Sequence, residues 1–355
     1  MTNINSSEIL VIGLMSGTSL DGLDLSYSRY YKKRGDWKFE LLKSHTYEYS
    51  KELKLKFSKV YENKISLNNF DKYFTDLIIK YLNLFIKSHN IHVDLISSHG
   101  HTIFHQPDLG YTKQIGNGHQ IFQSLRIPVV CNFREQDVIL GGQGAPLVPI
   151  GDKLLFNQYD ACLNLGGIAN ISYEFKGSRL AFDICPCNIV LNYLSNIKGL
   201  VYDFNGKMAK LGQVNHQLLL QLNNIPYYTI PYPKSLGKEY IDDVVMPIIK
   251  SSSSSNNDLL STFVEHIAMQ IAVSLKNSNS SNCLLTGGGV FNKYLISRIS
   301  YYTTCEIIIP NNNLINFKES IVFGLLGVLR LLNVNNCLAS VTGADHDHCS
   351  GSLHN

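Results

Sequence analysis

The sequence predicts an α/β protein with two similar halves. Short apolar runs flanked by Gly, Asn or Pro have the length of buried strands, and they lie at 9–14, 95–97, 129–132, 161–165, 283–285 and 306–309. Between them, apolar residues spaced three and four apart predict helices over 70–89 and 259–275. Strands that alternate with helices are typical of the α/β class.

The two halves repeat one order of elements: a hairpin with a glycine turn, a long helix, a strand and a glycine-containing corner. These elements lie at 11–25, 70–89 and 95–102 in the first half, and at 162–172, 259–275 and 283–290 in the second. This repetition predicts two lobes that face a shared cleft, where one turn from each lobe could hold a phosphate chain. A helix that begins at Pro146 or Pro149 is expected to join the halves, and an apolar helix is expected over 318–332.

Composition excludes several classes of protein. With 355 residues, 45% hydrophobic and 17% charged, the chain has the composition of a folded protein with about two domains. A net charge of +3 without a basic cluster gives no case for nucleic-acid binding. The N-terminal apolar run is too short for the core of a signal peptide or for a membrane span. The eight cysteines include no CxxC pair, which suggests reduced thiols. We therefore expect a cytoplasmic protein that does not bind membranes.

The segment 11–25 predicts a phosphate-binding turn. Its glycines let the backbone approach a ligand closely, and hydroxyl groups stand beside the exposed amides; the residues concerned are Gly13, Ser16, Gly17, Thr18, Ser19 and Gly22. Two carboxylates follow, Asp21 and Asp24. The local sequence is equally compatible with an ordinary hairpin turn.

Asp183 is the candidate general base. It lies at the end of an apolar strand, shortly before Pro186 and an expected helix start, where desolvation would raise the pKa of its carboxyl. The alternative is an aspartate that caps the N-terminus of that helix.

Further polar residues follow predicted strands. His99 and His105 lie near the edge of the expected cleft, where they suit sugar binding or packing better than zinc. Arg134, like Asp137, comes directly after a strand and could hold a substrate carboxylate in two hydrogen bonds. Gly287–Gly289 opens a helix and could lie against a nucleotide. The terminal segment 345–349 resembles a metal-binding tail, although such tails are usually disordered.

Taken together, these motifs resemble the anhydro-N-acetylmuramic acid kinase family of the sugar kinase, Hsp70 and actin superfamily. The resemblance spans almost the whole chain. It rests on the segments 13–22, 98–102, 114–116, 133–134, 141–149, 164–170, 182–183, 233–239 and 287–289, all in the order of the family.

The resemblance implies two actin-like (ribonuclease H-like) lobes, each with a mixed β-sheet flanked by helices, and a cleft between the lobes. Residues 8–155 with 319–340 would form the first lobe and residues 156–318 the second. Residues 341–355 are expected to form a flexible tail.

The implied activity is the ATP- and Mg²⁺-dependent conversion of 1,6-anhydro-N-acetylmuramic acid to N-acetylmuramic acid 6-phosphate in cell-wall recycling. Asp183 would activate water. The sugar would contact Ser16, His99, Arg134 and Asn188. ATP would contact Gly17, Thr18, Ser19, Asp21, Gly22, Gly166, Gly167, Asn170, Gly287, Gly288 and Gly289, and Asp21 would hold Mg²⁺ through water. The partners would be the sugar and ATP, with a homodimer as the assembly to test.

One corner departs from the family, which usually shows Gly-Pro-Gly-Asn after the catalytic Asp-Thr. This chain has Asp183-Ile-Cys-Pro-Cys-Asn188, in which bulkier groups replace a hydroxyl and two glycines and narrow the space for backbone approach to the ligand. Cys185 and Cys187 themselves are interpreted as packing residues, because they are too close in sequence for an ordinary disulfide. Two alternatives stay open: another sugar kinase or phosphohydrolase of the superfamily, and a catalytically impaired sensor of sugar or nucleotide.

Overall fold

Strands and helices alternate along the chain in the computed structural model, which describes residues 8–17 and 19–355. The strands are β1 Glu8–Ser16, β2 Gly22–Lys33, β3 Asp36–Glu48, β4 Leu95–Gln106, β5 Tyr111–Ile115, β6 Val129–Cys131, β7 Ala161–Leu165, β8 Ile168–Phe175, β9 Ser178–Pro186, β10 Asn282–Thr286, β11 Glu306–Ile308 and β12 Ser352–His354. The helices are α1 Lys51–Tyr61, α2 Leu67–His89, α3 Gly118–Leu125, α4 Glu135–Ile139, α5 Pro149–Leu155, α6 Asn188–Asn196, α7 Lys207–Leu211, α8 His216–Asn223, α9 Lys238–Tyr240, α10 Met246–Lys250, α11 Asn256–Asn277, α12 Lys293–Tyr302, α13 Asn312–Leu331 and α14 Ala339–Thr342.

The chain divides into two compact units, Met1–Leu155 with Phe317–Asn355 and Phe156–Asn316. The sheet of the first unit has the strand order β12-β6-β4-β1-β2-β3, with β5 paired to β4. The sheet of the second unit has the order β11-β10-β7-β8-β9. Both sheets are mixed and flanked by helices, so the predicted α/β class is confirmed.

The two sheets share one pattern of strand pairing. From β6 to β3 in the first unit, two parallel pairs are followed by two antiparallel pairs. From β11 to β9 in the second unit, the same two kinds of pairing follow in the same order. The repeated order of elements in the sequence therefore corresponds to a repeated sheet topology.

The first unit places α13 directly against the central strand β1. Val11, Ile12 and Leu14 of β1 are fully buried. A Cβ atom on Gly13 would clash with the backbone of Ser320 in α13, so glycine is required for this close approach. This contact fixes β1 just before the turn at Gly17. In the second unit, α11 buries its apolar face, including Phe263, against the core.

The C-terminal residues are ordered parts of the first unit. β12 pairs antiparallel with β6, and α14 lies just before it. Arg330 Nε also donates to the carbonyl oxygen of Gly351 at 2.7 Å. The flexible tail expected for 341–355 is thus not what the structure shows, because unpaired edge groups of β6 offer the segment a hydrogen-bonding partner. No helix of the described residues is long and apolar enough to cross a membrane.

A buried ion pair links α5 to α13 in the first unit. Lys318 Nζ lies 2.7 Å from Asp152 Oδ1, and both side chains are more than nine-tenths buried. Lys318→Met should lower the free energy of unfolding by about 3–5 kcal/mol, because it removes the ammonium group that pairs with the buried carboxylate of Asp152. Chemical denaturation measures this. The double variant Asp152→Leu with Lys318→Met should recover most of the loss; equal losses in both proteins would contradict the expectation.

Candidate active site

Asp183 lies on β9 in the second unit, five residues before α6 begins. Its Oδ2 accepts a hydrogen bond from the backbone N–H of Leu236 at 2.9 Å, and its carbonyl oxygen accepts one from Tyr227 Oη at 2.6 Å. The N-cap position of α6 belongs to Cys187, which makes no side-chain cap. The helix-capping alternative for Asp183 was therefore wrong, since its carboxylate binds a different backbone amide.

The Asp183 carboxyl is half-buried and electrostatically perturbed. Burial raises its pKa above the ordinary value for aspartate, and the hydrogen bond from Leu236 opposes part of that rise by stabilising the charged form. Asn170 of β8 lies opposite Asp183 in the strand pairing, so the two side chains share one face of the sheet. The raised pKa makes this carboxylate a stronger proton acceptor than an ordinary aspartate.

The turn between β7 and β8 packs onto the start of α6. The carbonyl oxygen of Gly167 accepts the amides of Cys187 and Ile189, at 2.8 and 3.1 Å. Asn188 Nδ2 donates to the carbonyl oxygen of Leu165 at 2.9 Å. These bonds bring the predicted phosphate turn at Gly166 and Gly167 together with Asn188.

The corner Gly287–Gly289 lies against the same turn. Gly287 has a φ of +86°, and an added Cβ would lie 2.4 Å from Asn164 Oδ1. A Cβ on Gly289 would lie 2.7 Å from the Cβ of Leu165, whereas a Cβ on Gly288 would meet, among the described residues and apart from its chain neighbours, no atom within 4 Å. The second unit therefore gathers both glycine segments predicted to bind the nucleotide, and Gly288 faces open space.

The two cysteines of the divergent corner point into the protein. Cys185 and Cys187 have no exposed surface and belong to the hydrophobic core of the second unit. Burial raises the pKa of the Cys187 thiol to about 12, so it stays protonated. The larger side chains are accommodated by the core, which agrees with their interpretation as packing residues.

The sequence reasoning assigned no role to the residues that surround Asp183. Tyr227 and Leu236 hold it as described above. The backbone N–H of Asp183 donates to the carbonyl oxygen of Lys234. The ammonium group of Lys234 donates to the carbonyl oxygen of Tyr227 at 3.1 Å. The segment 233–239 was recognised as a family motif, which was the available signal, but no pattern linked it to a residue fifty positions earlier.

In the first unit, the structure brings together two of the predicted sugar-binding residues, His99 and Arg134. Arg134 Nε donates to His99 Nε2 at 3.0 Å, and Arg134 Nη1 donates to the carbonyl oxygen of Gly144 at 2.6 Å. His99 Nδ1 donates to the carbonyl oxygen of Gly100 at 3.0 Å. Burial and the charge of Arg134 lower the pKa of His99, so the ring is neutral and positions the guanidinium group.

Ser16 lies inside a buried hydrogen-bond chain. Its Oγ is 2.6 Å from Tyr49 Oη and 2.8 Å from His101 Nδ1, and His101 Nε2 is 2.8 Å from Tyr61 Oη. Burial lowers the pKa of His101 to about 4, so this ring is neutral. The sequence reasoning did not predict the chain, in which Ser16 Oγ makes two of the three hydrogen bonds that a hydroxyl can form.

The turn after β1 presents a carboxylate to solvent. Asp21 is exposed, and its carbonyl oxygen accepts the amide of Tyr49 at 3.1 Å. Asp24 accepts a hydrogen bond from Thr46 Oγ1 at 2.6 Å, and burial together with the charge of Asp21 raises the pKa of Asp24. Gly22 is buried at the start of β2, and Thr18 lies outside the described residues. One exposed carboxylate with a second nearby suits Mg²⁺, which keeps several waters when it binds with phosphates.

A half-buried carboxyl with a raised pKa, in a unit that also has glycine segments at strand ends, is typical of an α/β enzyme that uses a general base. Comparisons with known proteins specify the class further. The model of the family described as anhydro-N-acetylmuramic acid kinase matches residues 9–355. The chain therefore belongs to the anhydro-N-acetylmuramic acid kinase family, as its motifs predicted.

Individual relatives agree with this assignment. The anhydro-N-acetylmuramic acid kinase of Hydrogenovibrio crunogenus is 34% identical over 373 residues, which cover 98% of this chain and 99% of the relative. That of Shewanella amazonensis is 32% identical over 370 residues, with 98% of each chain covered. Among solved structures, a ROK family glucokinase from Streptomyces griseus in complex with glucose and AMPPNP is 10% identical, has a TM-score of 0.43, and is matched over 90% of this chain and 99% of its own.

Proposed function

We propose that this protein converts 1,6-anhydro-N-acetylmuramic acid, water and ATP into N-acetylmuramic acid 6-phosphate and ADP during peptidoglycan recycling. Its family membership supports the reaction class. The observation that supports the mechanism most directly is Asp183, whose half-buried carboxyl has a raised pKa and lies in the same unit as two of the glycine segments.

Asp183 is the general base in this proposal. Its carboxylate accepts a proton from the water that attacks the anomeric carbon. The bond between that carbon and O6 breaks, O6 bonds to the γ-phosphorus of ATP, and ADP leaves; the proton passes from Asp183 to solvent. Coupling the two steps at one site explains why a kinase needs a base suited to water as well as residues that hold phosphates.

The remaining candidate residues divide into two binding roles. The sugar contacts are Ser16, His99, Arg134 and Asn188. The nucleotide contacts are Gly17, Thr18, Ser19, Asp21, Gly22, Gly166, Gly167, Asn170, Gly287, Gly288 and Gly289. Two points stay predictions. One is the division of the chain at about 156 and 318 into a sugar-binding and a catalytic lobe, and the other is the cleft between them.

Mg²⁺ belongs to the proposal as the ion that accompanies ATP. Asp21, through water, is the residue that would hold it, because its carboxylate is exposed and lies in the predicted phosphate turn. When bound, the ion neutralises charge on the phosphates. Asp24 is the less suitable of the two carboxylates, since Thr46 already donates to it and its pKa is raised.

A direct assay tests the proposed reaction. The protein is incubated with ATP and either the anhydrosugar or glucose, and sugar 6-phosphates are identified by mass spectrometry, with H₂¹⁸O to label the anomeric oxygen. Labelled N-acetylmuramic acid 6-phosphate is expected. Phosphorylation of glucose alone would favour another sugar kinase, phosphate release without a sugar product would favour a phosphohydrolase, and binding without turnover would indicate a sensor.

The nucleotide contacts are tested by a matched pair of glycine variants. Gly288→Ala adds a methyl group that meets no atom within 4 Å in the described part of the chain beyond its own neighbours, so stability should be unchanged while a nucleotide that packs there binds more weakly. Gly287→Ala should also cost about 1–3 kcal/mol of stability, since its φ is +86°. Calorimetric titration with an ATP analogue and thermal unfolding measure the two effects. Unchanged nucleotide affinity in Gly288→Ala would contradict the assignment.

The assembly and the compartment complete the proposal. We infer a homodimer and a cytoplasmic location, the latter from the substrate class of the family. Light scattering of the purified protein and fractionation of the source cells test them. A monomer at micromolar concentration, or recovery of the protein outside the cytoplasm, would contradict these two points without affecting the proposed reaction.

A further inference from the structure

A second cluster of chemically versatile side chains lies in the first unit, apart from the residues given a catalytic or binding role. Within residues 8–17 and 19–355, the ligand atoms of Asp137, Cys337 and His348 lie within 4.8 Å of one another. Their side chains are almost fully buried, with 0%, 2% and 6% of their surfaces exposed. The sequence had singled out the segment around His348, but the activity of the family does not use it.

The backbone holds the three residues in place. Cys337 and His348 form an antiparallel bridge, in which the amide of each donates to the carbonyl oxygen of the other at 3.1 and 3.3 Å. Opposed residues in such a bridge project their side chains to the same side. Asp137 is oriented by two donors: the amide of Gly144 at 2.6 Å to Oδ2, and Thr342 Oγ1 at 2.6 Å to Oδ1. The cluster is therefore preorganised.

The hydrogen bonding of His348 leaves a lone pair directed at the cluster. Its Nδ1 lies 3.1 Å from the carbonyl oxygen of His346, which can only accept, so Nδ1 bears a proton. Nε2 is buried and has no hydrogen-bond partner among the described residues. It lies 3.6 Å from Asp137 Oδ1, which is too long for a hydrogen bond. With the proton on Nδ1, the lone pair of Nε2 and the carboxylate oxygen of Asp137 thus face each other.

That separation suits a shared cation. Ligands at about 2.0–2.3 Å from a tetrahedral Zn²⁺ lie roughly 3.3–3.8 Å from each other. The distance of 3.6 Å between His348 Nε2 and Asp137 Oδ1 is within this range. A ligating histidine typically donates its other N–H to a carbonyl group, as His348 does, and ligating carboxylates are themselves hydrogen-bonded, as Asp137 is.

We propose that Asp137, Cys337 and His348 bind a Zn²⁺ ion, with water as the fourth ligand. A donor set of a thiolate, an imidazole and a carboxylate binds Zn²⁺ in preference to Mg²⁺ or Ca²⁺. Binding releases the Cys337 proton to solvent. The ion joins the C-terminal segment to α4, whose Asp137 also holds Gly144, the residue that accepts a hydrogen bond from Arg134.

Metal content and cobalt absorption test the site. The purified full-length protein is treated with chelator, loaded with Zn²⁺ or Co²⁺, desalted and measured by mass spectrometry and near-ultraviolet absorption. One Zn²⁺ per chain is expected, and Co²⁺ should produce a thiolate-to-cobalt charge-transfer band. Cys337→Ser should lose that band, and His348→Ala should lose the bound ion.

His346→Ala is the matched control, because it removes an exposed neighbouring imidazole and keeps the carbonyl oxygen that His348 uses. It should retain both metal and band. If the unmodified protein retains no Zn²⁺, or if the cobalt protein has no thiolate band, the proposal is overturned. These readouts on unmodified protein decide the matter even if a variant fails to fold.

Discussion

Asp183→Asn is expected to lower turnover of the anhydrosugar about 10²–10⁴-fold, the usual contribution of a positioned general base. An amide has nearly the shape of a carboxylate but cannot accept the proton of the attacking water. ATP affinity should be nearly unchanged, because the carboxylate serves the water and not the phosphates. Steady-state kinetics with both substrates, combined with calorimetric titration of an ATP analogue, measure the two quantities separately.

The control for this variant is Asp243→Asn, which makes the same replacement at an exposed position of the second unit. It should retain full activity. In the unmodified enzyme, kcat should fall as pH decreases through the pKa of Asp183, since the protonated carboxyl cannot act as a base. Burial raises that pKa, so the acid limb should lie above pH ~3.9, the value for an unperturbed aspartate. Near-normal turnover by Asp183→Asn would require another base.

Arg134→Lys is expected to lower kcat/KM for the anhydrosugar about 10- to 100-fold, while the KM for ATP changes little. Arg134 is held by two hydrogen bonds, one from Nε to His99 and one from Nη1 to Gly144. Neither of these two bonds within the described residues involves Nη2. Lysine keeps the charge but lacks the planar fork that can bind a carboxylate. The loss of a charged hydrogen bond, about 1.5–3 kcal/mol, sets the expected magnitude.

Arg29→Lys is the matched control. Arg29 lies in the same unit, and its ion pairs with Glu8 and Glu40 are partly exposed to solvent. Its kinetics should be unchanged. Thermal unfolding of Arg134→Lys separates a binding effect from a folding effect. If the KM values for ATP and for the sugar rise together, or if neither changes, Arg134 does not bind the sugar.

Much of the local structure follows from short-range patterns. The run 161–165 coincides with β7, and the periodic segments 70–89 and 259–275 lie within α2 and α11. These segments are predictable because burial on one or both faces of an element imposes a regular spacing of apolar residues. The helix expected at Pro149 also begins there, since proline suits a first helical turn.

Other features depend on contacts between distant parts of the chain. The hydrogen bond from Leu236 to Asp183, and the chain joining Ser16 to Tyr49 and His101, connect residues from 33 to 85 positions apart, which no local spacing reveals. The defined structure of residues 341–355 also depends on a contact between distant parts of the chain. Their composition suggests a flexible tail, but β12 pairs with β6, which lies about 220 residues earlier in the sequence.

The sequence by itself determined the α/β class, the repeated halves, the family and the identity of the candidate base, because these depend on residue type and spacing. Only the tertiary structure decided that the thiols of Cys185 and Cys187 pack into the core and that the Asp183 carboxylate binds the amide of Leu236 and does not cap α6. It also placed Asp137, Cys337 and His348 together. The physical reason is that burial and hydrogen-bond partners are set by which surfaces meet, and that is a property of the folded chain.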